Sequence, residues 1–354
     1  MDLELDERQA LVLRTLVSAY VADAGPISSG TLSHLLPISL SSASVRSTLA
    51  CLSEMGLVEQ PHTSAGRVPS DAGLRVFLDR LIDPTDISDY ERRALQERVD
   101  DAAGGEPILR TVSQMLSDRT RQIGFALEPI ARRLALTHLS LVRVSTERVL
   151  VVLVAANGQV IQRAIDEPGE GDQRELDQMA RALNERLRDR TLVEVHDVLL
   201  AEIDTMRDQA DRLLARALAL GLRALDADAF TPSDLVVATR LAILDQPEFS
   251  DPSRIKAMLT ALETHERLIE VLEQILDSQG VTVSLGDDLA EPGLRGCAMV
   301  AMPYGGGAAG GAQAAAEGEA LGVVGVIGPN RMDYSRIIPV VSYCSRLVTE
   351  KLQS

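Results

Sequence analysis

The stretch of this 354-residue chain that most constrains its fold is segment 57–73, whose residue types change character twice. It opens with a short strand-like run, continues through a loop of turn-forming residues, and ends at Ser70, which is suited to cap a new helix. Pro61 and Gly66 favour a tight turn, and Arg67 places a cation near the predicted tip. The pattern predicts a small β-loop, or wing, followed by a helix.

Three short helical patterns precede this predicted wing. The first starts at a capping pattern at residues 6–9, the second at residues 28–29, and the third near residue 41 or 42. Gly56 is well placed to end the third helix in a left-handed conformation. Two helices joined by a turn and followed by a wing are the outline of a DNA-binding unit, so we predict a winged helix-turn-helix at residues 1–82.

The third helix is predicted to present a face of small and polar residues. Such a face can approach the floor of a DNA groove, where arginine and serine donate to phosphates or base edges. On the helices alone, a three-helix core with a serine-rich solvent face is an equal alternative, and the wing favours DNA. The predicted DNA-binding residues are Ser42, Ser44, Arg46 and Ser47 of this helix and His62, Thr63, Ser64 and Arg67 of the wing.

Charge argues against tight binding to phosphates. The whole chain carries a net charge of −17, but the local field at the DNA surface matters more than this total. Residues 1–82 contain six arginines, no lysine and nine acidic residues, which gives this segment a net charge of −3. The predicted reading head is therefore not basic.

Composition and motif content limit the functional classes to which the protein can belong. The three scattered cysteines form no paired motif, which argues against a disulfide framework or zinc site and favours a reducing cytoplasm. The acidic start lacks the pattern of a signal peptide, and no apolar run approaches the ~20 residues that span a bilayer. Because the chain shows no metal-binding, nucleophile or phosphate-loop motif, we predict no enzyme activity, no cofactor, no metal and no membrane contact.

Beyond the head, the pattern predicts a helical segment, either a linker or the start of the body, and then a sheet that is split in sequence. Residues 83–135 read as two helices, the second of which includes Ile123. Alternating apolar residues, with a hairpin signal at residues 157–158, begin the sheet in segment 136–194. Further strands and a final helix return in segment 278–354, so the expected class is α+β multidomain.

Segment 195–277 separates these two halves and is mainly helical in pattern. Its long apolar stripe can be buried within the segment itself or against a second copy of the chain. An apolar helical stripe is more often ordinary core than an interface. On pattern alone, dimerisation therefore stays the less favoured alternative.

One further observation concerns six segments of the chain: Leu5–Gln9, Gly25–Ser28, Ser44–Arg46, Pro61–Pro69, Gln246–Phe249 and Gly328–Arg336. These segments resemble one known family, the heat-inducible transcription repressors HrcA. Two departures lie where that family usually has an arginine and an asparagine, positions that Gly30 and Ser47 occupy in this chain. At a third position, Thr48 stands where the family usually has aspartate.

The resemblance implies a fold and a mechanism. It implies an N-terminal winged helix that binds double-stranded DNA at an inverted repeat upstream of chaperone operons. It further implies a GAF-like domain interrupted by an inserted dimerisation domain, here segment 195–277, and hence a homodimer. A GroEL-type chaperonin is the implied partner: it keeps the repressor active until misfolded protein occupies the chaperonin.

The acidic head and the missing arginine and asparagine leave a second hypothesis open. The chain could be a ligand- or chaperone-sensing interaction module whose head has lost strong affinity for an operator. A binding titration with operator and scrambled DNA separates these two hypotheses.

Overall fold

The computed structural model describes most of the chain. Segments 196–234, 239–245 and 306–319 are the longest stretches outside this description. The described residues are 4–23, 25–62, 65–102, 107–129, 135–155, 160–167, 172–187, 190–191, 194–195, 235–238, 246–249, 251–264, 266–278, 280–289, 291–305 and 320–353.

The N-terminal unit, residues 4–81, consists of helices and a two-stranded antiparallel ribbon. Its elements are α1 (Glu7–Asp23), α2 (Ser29–Leu35), α3 (Ser42–Glu54), β1 (Val58–Glu59), β2 (Val68–Pro69) and α4 (Asp71–Val76), which continues in a π-helical turn (Phe77–Leu81).

The predicted capping residues start these helices. Asp6 and Gln9 exchange reciprocal bonds, with the Gln9 N–H donating to the Asp6 carboxylate over 2.7 Å and the Asp6 N–H donating to Gln9 Oε1 over 2.9 Å. Ser70 Oγ accepts from the Gly73 N–H over 3.0 Å. Gly56, just beyond α3, has the predicted left-handed conformation, with φ of 74°. The helix starts and stops predicted here are confirmed.

The body, from residue 89 onward, is built around a five-stranded antiparallel sheet of order β7-β3-β10-β9-β8. Strands β3, β9 and β10 are buried on both faces, which explains their continuous apolar sequences. The strands are β3 (Ile123–Leu127), β7 (Leu235–Ala238), β8 (Thr282–Leu285), β9 (Cys297–Tyr304) and β10 (Gly322–Pro329).

Helices cover both faces of this sheet. One face packs against α6 (Ile108–Thr120) and α10 (Tyr334–Gln353), with α5 (Asp89–Ala102) outside them. Apolar side chains of α8 (Pro252–Thr264) and α9 (Glu266–Ile275) are buried against the other face. The result is a three-layered α/β/α body.

A second, smaller sheet stands apart from the first. Strands β4 (Leu136–Arg143), β5 (Arg148–Ala155) and β6 (Val160–Asp166) pair antiparallel in sequence order. Helix α7 (Gln173–Leu187) covers one face, where its leucines and Met179 join a separate apolar cluster.

The expected pairing of segments 136–194 and 278–354 in one split sheet is wrong. The described strands of the first segment pair with one another, whereas those of the second pair with β3 and β7. Two apolar strand patterns can join the same sheet or different ones, because pattern alone does not specify a partner.

Two other expectations also change. Ile123 does not lie on a helix but begins the buried strand β3, since Arg121 adopts a left-handed conformation that ends α6. In segment 195–277, the described strand β7 and helices α8 and α9 contribute to the five-stranded sheet and its apolar cover. The predicted hairpin turn at residues 157–158 and the apolar stripe of residues 198–218 lie outside the described residues.

Candidate nucleic-acid interface

Helix α3 has a buried side and an exposed polar side. Ser41 caps it, with Oγ accepting from the Ser44 N–H over 3.2 Å. Its apolar stripe of Val45, Leu49 and Leu52 is buried in the core of the N-terminal unit. The predicted contact residues Ser42, Arg46 and Ser47 are exposed, and Ser44 is half-buried.

Arg46 is available for an external partner. No hydrogen bond or ion pair joins its guanidinium to another residue in the described part of the chain. A guanidinium on an exposed helix face can bind a phosphate or, in two-point contact, a guanine edge.

Serine hydroxyls cap α2 and link it to the start of α3. Ser28 caps α2 through a 3.0 Å bond from the Thr31 N–H to Ser28 Oγ. Ser33 Oγ donates to the Gly30 carbonyl over 2.7 Å and lies 3.4 Å from Ser42 Oγ at the start of α3. The contact between Ser33 and Ser42 ties the beginning of α3 to α2 and so helps to orient its exposed face.

The predicted wing is a ribbon in which Val58 pairs with Pro69 and Glu59 with Val68. Its loop is closed by a bond from Gln60 Nε2 to the Ala65 carbonyl, 3.0 Å long. His62, one of the predicted contact residues, is exposed on this loop. Thr63 and Ser64 lie outside the described residues.

Arg67 lies at the loop end of the ribbon, directly before β2, in keeping with its predicted place near the tip. Its N–H and carbonyl pair with Ile27, over 2.8 and 2.9 Å, in the loop between α1 and α2. Its side chain is half-buried, and Nε is buried without a hydrogen-bond partner among the described residues. This pairing adds a third backbone segment to the ribbon and fixes it against the helices.

The structure joins α3 and the ribbon in one unit. Ser53 Oγ, near the end of α3, donates to the Val58 carbonyl of β1 over 3.0 Å. Ser70 Oγ donates to the Gly56 carbonyl over 2.6 Å and closes the base of the ribbon. Hydrogen bonds therefore connect the helix and the ribbon that carry the candidate residues.

The departures from the resembled family differ in exposure. Thr48 is buried, and its hydroxyl donates to the Ser44 carbonyl over 3.2 Å, so this position faces the core. Ser47 is exposed, and Gly30 sits half-buried near the start of α2, where a Cβ atom would lie 3.6 Å from Ser28 Oγ. The loss of polar contact groups is thus confined to positions 30 and 47.

The described residues offer little for catalysis. They contain no cluster of histidine, cysteine and carboxylate side chains that could hold a metal ion. All three cysteines are free thiols, and burial raises the pKa of Cys297 to about 11 and that of Cys344 to about 12. Among the described helices, none has the length and apolar character needed to cross a membrane.

Comparison with known proteins identifies the family. The family model for the HrcA protein C terminal domain matches residues 106–338. A heat-inducible transcription repressor HrcA of Xanthomonas axonopodis pv. citri (strain 306) is 33% identical over 353 residues, covering 99% of this chain and 97% of that protein. The chain belongs to the HrcA family. Membership places it among heat-shock transcription repressors.

Other HrcA proteins agree over the full length. Those of Geobacter sulfurreducens and Syntrophobacter fumaroxidans are 33% and 34% identical, each over 99% of this chain and over 99% and 98% of their own. A crystal structure of a hypothetical protein, 23% identical, shares the fold with a TM-score of 0.54 over 98% of this chain and 97% of that one.

One cluster in this HrcA family member was missed by sequence reasoning. Arg331 of the C-terminal motif binds Glu248 of the 246–249 motif, and also reaches the Val21 carbonyl of α1. The sequence shows both motifs, yet 83 positions separate the two side chains, and no periodicity links them. Only the fold brings them together.

Proposed function

We propose that the N-terminal unit is a winged helix-turn-helix that binds double-stranded DNA and represses chaperone operons. In this proposal α3 is the recognition helix in the major groove, and the β1–β2 ribbon is the wing. The observation that carries the proposal is the exposed Ser42, Arg46 and Ser47 face of α3, bonded to a ribbon next to it.

The candidate residues divide by expected role. Arg46 reads a base edge or binds a phosphate, and Ser42 and Ser47 donate to the same groove. Ser44, half-buried near the helix start, supports the approach of the backbone. The wing residues His62, Thr63, Ser64 and Arg67 contact the phosphate backbone.

We propose that the repressor is a homodimer that binds an inverted repeat, because two identical heads match a two-fold symmetric site. Its interface is the small sheet rather than segment 195–277 as a whole. The face opposite α7 presents partly or fully exposed apolar side chains on all three strands, and such a face favours burial against an identical copy. These residues are Val142, Leu150, Val152, Val154, Val160 and Ala164.

We propose two further features on the strength of family membership. The five-stranded sheet with its helices is the GAF-like domain of the HrcA fold. A GroEL-type chaperonin keeps the repressor active in the cytoplasm, and occupation of the chaperonin by misfolded protein lowers active repressor and opens the operons.

A polarisation titration with a chaperone-promoter inverted repeat and a scrambled duplex tests DNA binding. The intact chain is expected to prefer the inverted repeat, and Arg46→Ala to lower that preference by about tenfold, in line with ~1–3 kcal/mol for a two-point base contact. Arg67→Ala is expected to weaken binding to both duplexes and to reduce the salt slope by about one, as for a lost phosphate contact.

Arg93→Ala is the matched control, since Arg93 is exposed on α5 in the body. It removes the same charge and is expected to leave both affinities unchanged. If the intact chain shows no preference at moderate salt, the repressor mechanism is wrong for this chain and the interaction-module hypothesis replaces it. The net charge of −3 in residues 1–82 is the observation that keeps this second hypothesis in the test.

A further inference from the structure

The two sequence motifs with no role in DNA contact meet where the N-terminal unit joins the body. These are residues 246–249 and residues 328–336, the latter called here the signature segment. The signature segment spans the corner between β10 and α10. Asn330 and Arg331 of the signature segment bind groups of the N-terminal unit. Glu248 of the other motif binds Arg331.

Arg331 is the centre of this junction. Its Nε and Nη2 both bind the Glu248 carboxylate, the latter over 3.1 Å, in a two-point contact. Its Nη1 donates to the Val21 carbonyl near the end of α1 over 3.4 Å. The two side chains are only 15% and 20% exposed, so this pair is shielded from water far more than an ordinary surface ion pair.

Neighbouring groups repeat the same link between unit and body. Asn330 Nδ2 donates to Asp71 of α4 over 3.0 Å. Arg75, also on α4, pairs with Asp288, and both side chains are more exposed, at 52% and 38%. Burial opposes the effect, but bonds from Arg75 and the Leu285 N–H hold the pKa of Asp288 below its usual range, so this carboxylate stays charged near neutral pH.

A further backbone bond, 2.9 Å from the Thr85 N–H to the Ser335 carbonyl, ties the chain leaving the N-terminal unit to the signature segment. An open cavity of about 720 Å³, lined by Val21, Arg331 and Arg336 among others, lies beside the junction.

Apolar packing also continues from the N-terminal unit into the body. Apolar contacts attract without preferring one direction, whereas a two-point guanidinium contact with a third bond to a carbonyl has a defined geometry. The polar groups are therefore the ones that can fix the angle between the two parts. The fork of Arg331 is the most shielded of them.

We propose that Arg331, held by Glu248, is a positioning residue that sets the orientation of the N-terminal unit on the body. In a dimer this orientation sets the distance between the two recognition helices, and so the half-site spacing that the protein accepts. The effect on half-site spacing rests on the proposed DNA-binding function, whereas the effect on orientation does not.

The first test measures orientation without DNA. Spin labels at Ser18→Cys in α1 and Arg93→Cys in α5, both exposed positions, report the distance between unit and body in the full chain. The background carries Cys51→Ser, while buried Cys297 and Cys344 resist labelling. Arg331→Gln is expected to broaden or shift the distance distribution, and Arg331→Lys, which keeps the charge but loses the fork, to do so less.

If circular dichroism shows that Arg331→Gln folds poorly, Glu248→Gln removes the same ion pair by changing its other partner. Arg148→Gln is the control, because Arg148 forms an exposed pair with Asp166 on the small sheet. It is expected to leave the distribution unchanged. A distribution that stays narrow and unshifted in the Arg331 and Glu248 variants overturns the proposal.

The second test uses inverted repeats lengthened by one or two base pairs between the half-sites. The intact chain is expected to lose about tenfold in affinity for the altered spacing, as expected for half-sites at a fixed separation, and Arg331→Gln to flatten this difference. An unchanged spacing preference in Arg331→Gln overturns the link to DNA. A failure of the intact chain to prefer any repeat refutes the DNA-binding function instead, and the spin-label result then decides the positioning role alone.

Discussion

At the scale of single residues, the β1–β2 ribbon depends on one close backbone approach. Gly66 lies against Ile27, and a Cβ at this position would come within 2.4 Å of the Ile27 carbonyl group. The next residue, Arg67, exchanges both backbone hydrogen bonds with Ile27. A glycine is required here because no side chain fits between the two backbones.

Gly66→Ala is accordingly expected to destabilise the N-terminal unit. Either the Arg67–Ile27 bonds lengthen or the loop shifts, and overpacking of this kind costs ~1–3 kcal/mol. Denaturant unfolding followed by circular dichroism measures the loss. Gly30→Ala is the control, since its Cβ meets nothing nearer than Ser28 Oγ at 3.6 Å, and it should be neutral or stabilise by up to ~1 kcal/mol. Equal stability of the two variants would contradict this reading of the ribbon.

At the scale of elements, the α2–α3 pair explains why some departures from the family matter and others do not. Thr48 replaces a polar family residue on the buried side of α3, where its hydroxyl bonds within the helix. Gly30 lies on α2 with room for a side chain, and α2 precedes α3, the proposed recognition helix. A cation could therefore be placed on α2 beside the proposed recognition helix.

Gly30→Arg is expected to raise DNA affinity. Restoring a cation on α2 adds about one phosphate contact, so the salt slope should steepen by about one and the affinity at low salt should rise several-fold. Polarisation titrations across a salt series measure both quantities. Gly30→Gln supplies a long side chain without the charge, and an equal gain in that variant would rule out the electrostatic explanation.

At the scale of the whole molecule, the described part of the body forms two separate sheets. The five-stranded sheet is covered on both faces, whereas the small sheet is covered by α7 on one face. A valine-rich face on the other side is left partly exposed in the described part of a single chain. This difference is the reason why the proposed dimer interface is placed on the small sheet.

Val152→Asp is expected to convert the proposed dimer to a monomer. Val152 lies at the centre of β5 on the open face, opposite Ser140 and Gln162, and a charge there would be buried at the interface. Light scattering after size exclusion measures the mass. Tyr90→Asp is the control. Tyr90 is 82% exposed on α5, so this change also replaces a large side chain with a charge, but away from the small sheet. A Val152→Asp protein that keeps the dimer mass places the interface outside this face.

Much of the local structure could be predicted from the sequence. Caps such as Asp6, Ser28 and Ser70 act on neighbouring backbone groups, so the information needed to start a helix lies within a few residues. The ribbon, the helices next to it and the exposed side of α3 could be predicted for the same reason. Strand β3 was missed because Ile123 also continues the apolar spacing of α6, and the left-handed Arg121 that separates the two elements leaves no mark in that spacing.

The sequence alone determined the helices and the ribbon of the N-terminal unit and the small motif that carries the family identity, since these depend on local bonds and on the spacing of apolar side chains. The tertiary structure decided which strands share a sheet, that the Arg67 backbone pairs with Ile27, and that Arg331 meets Glu248 and α1. Contacts between residues far apart in the chain depend on how whole elements pack, and no local pattern specifies that packing.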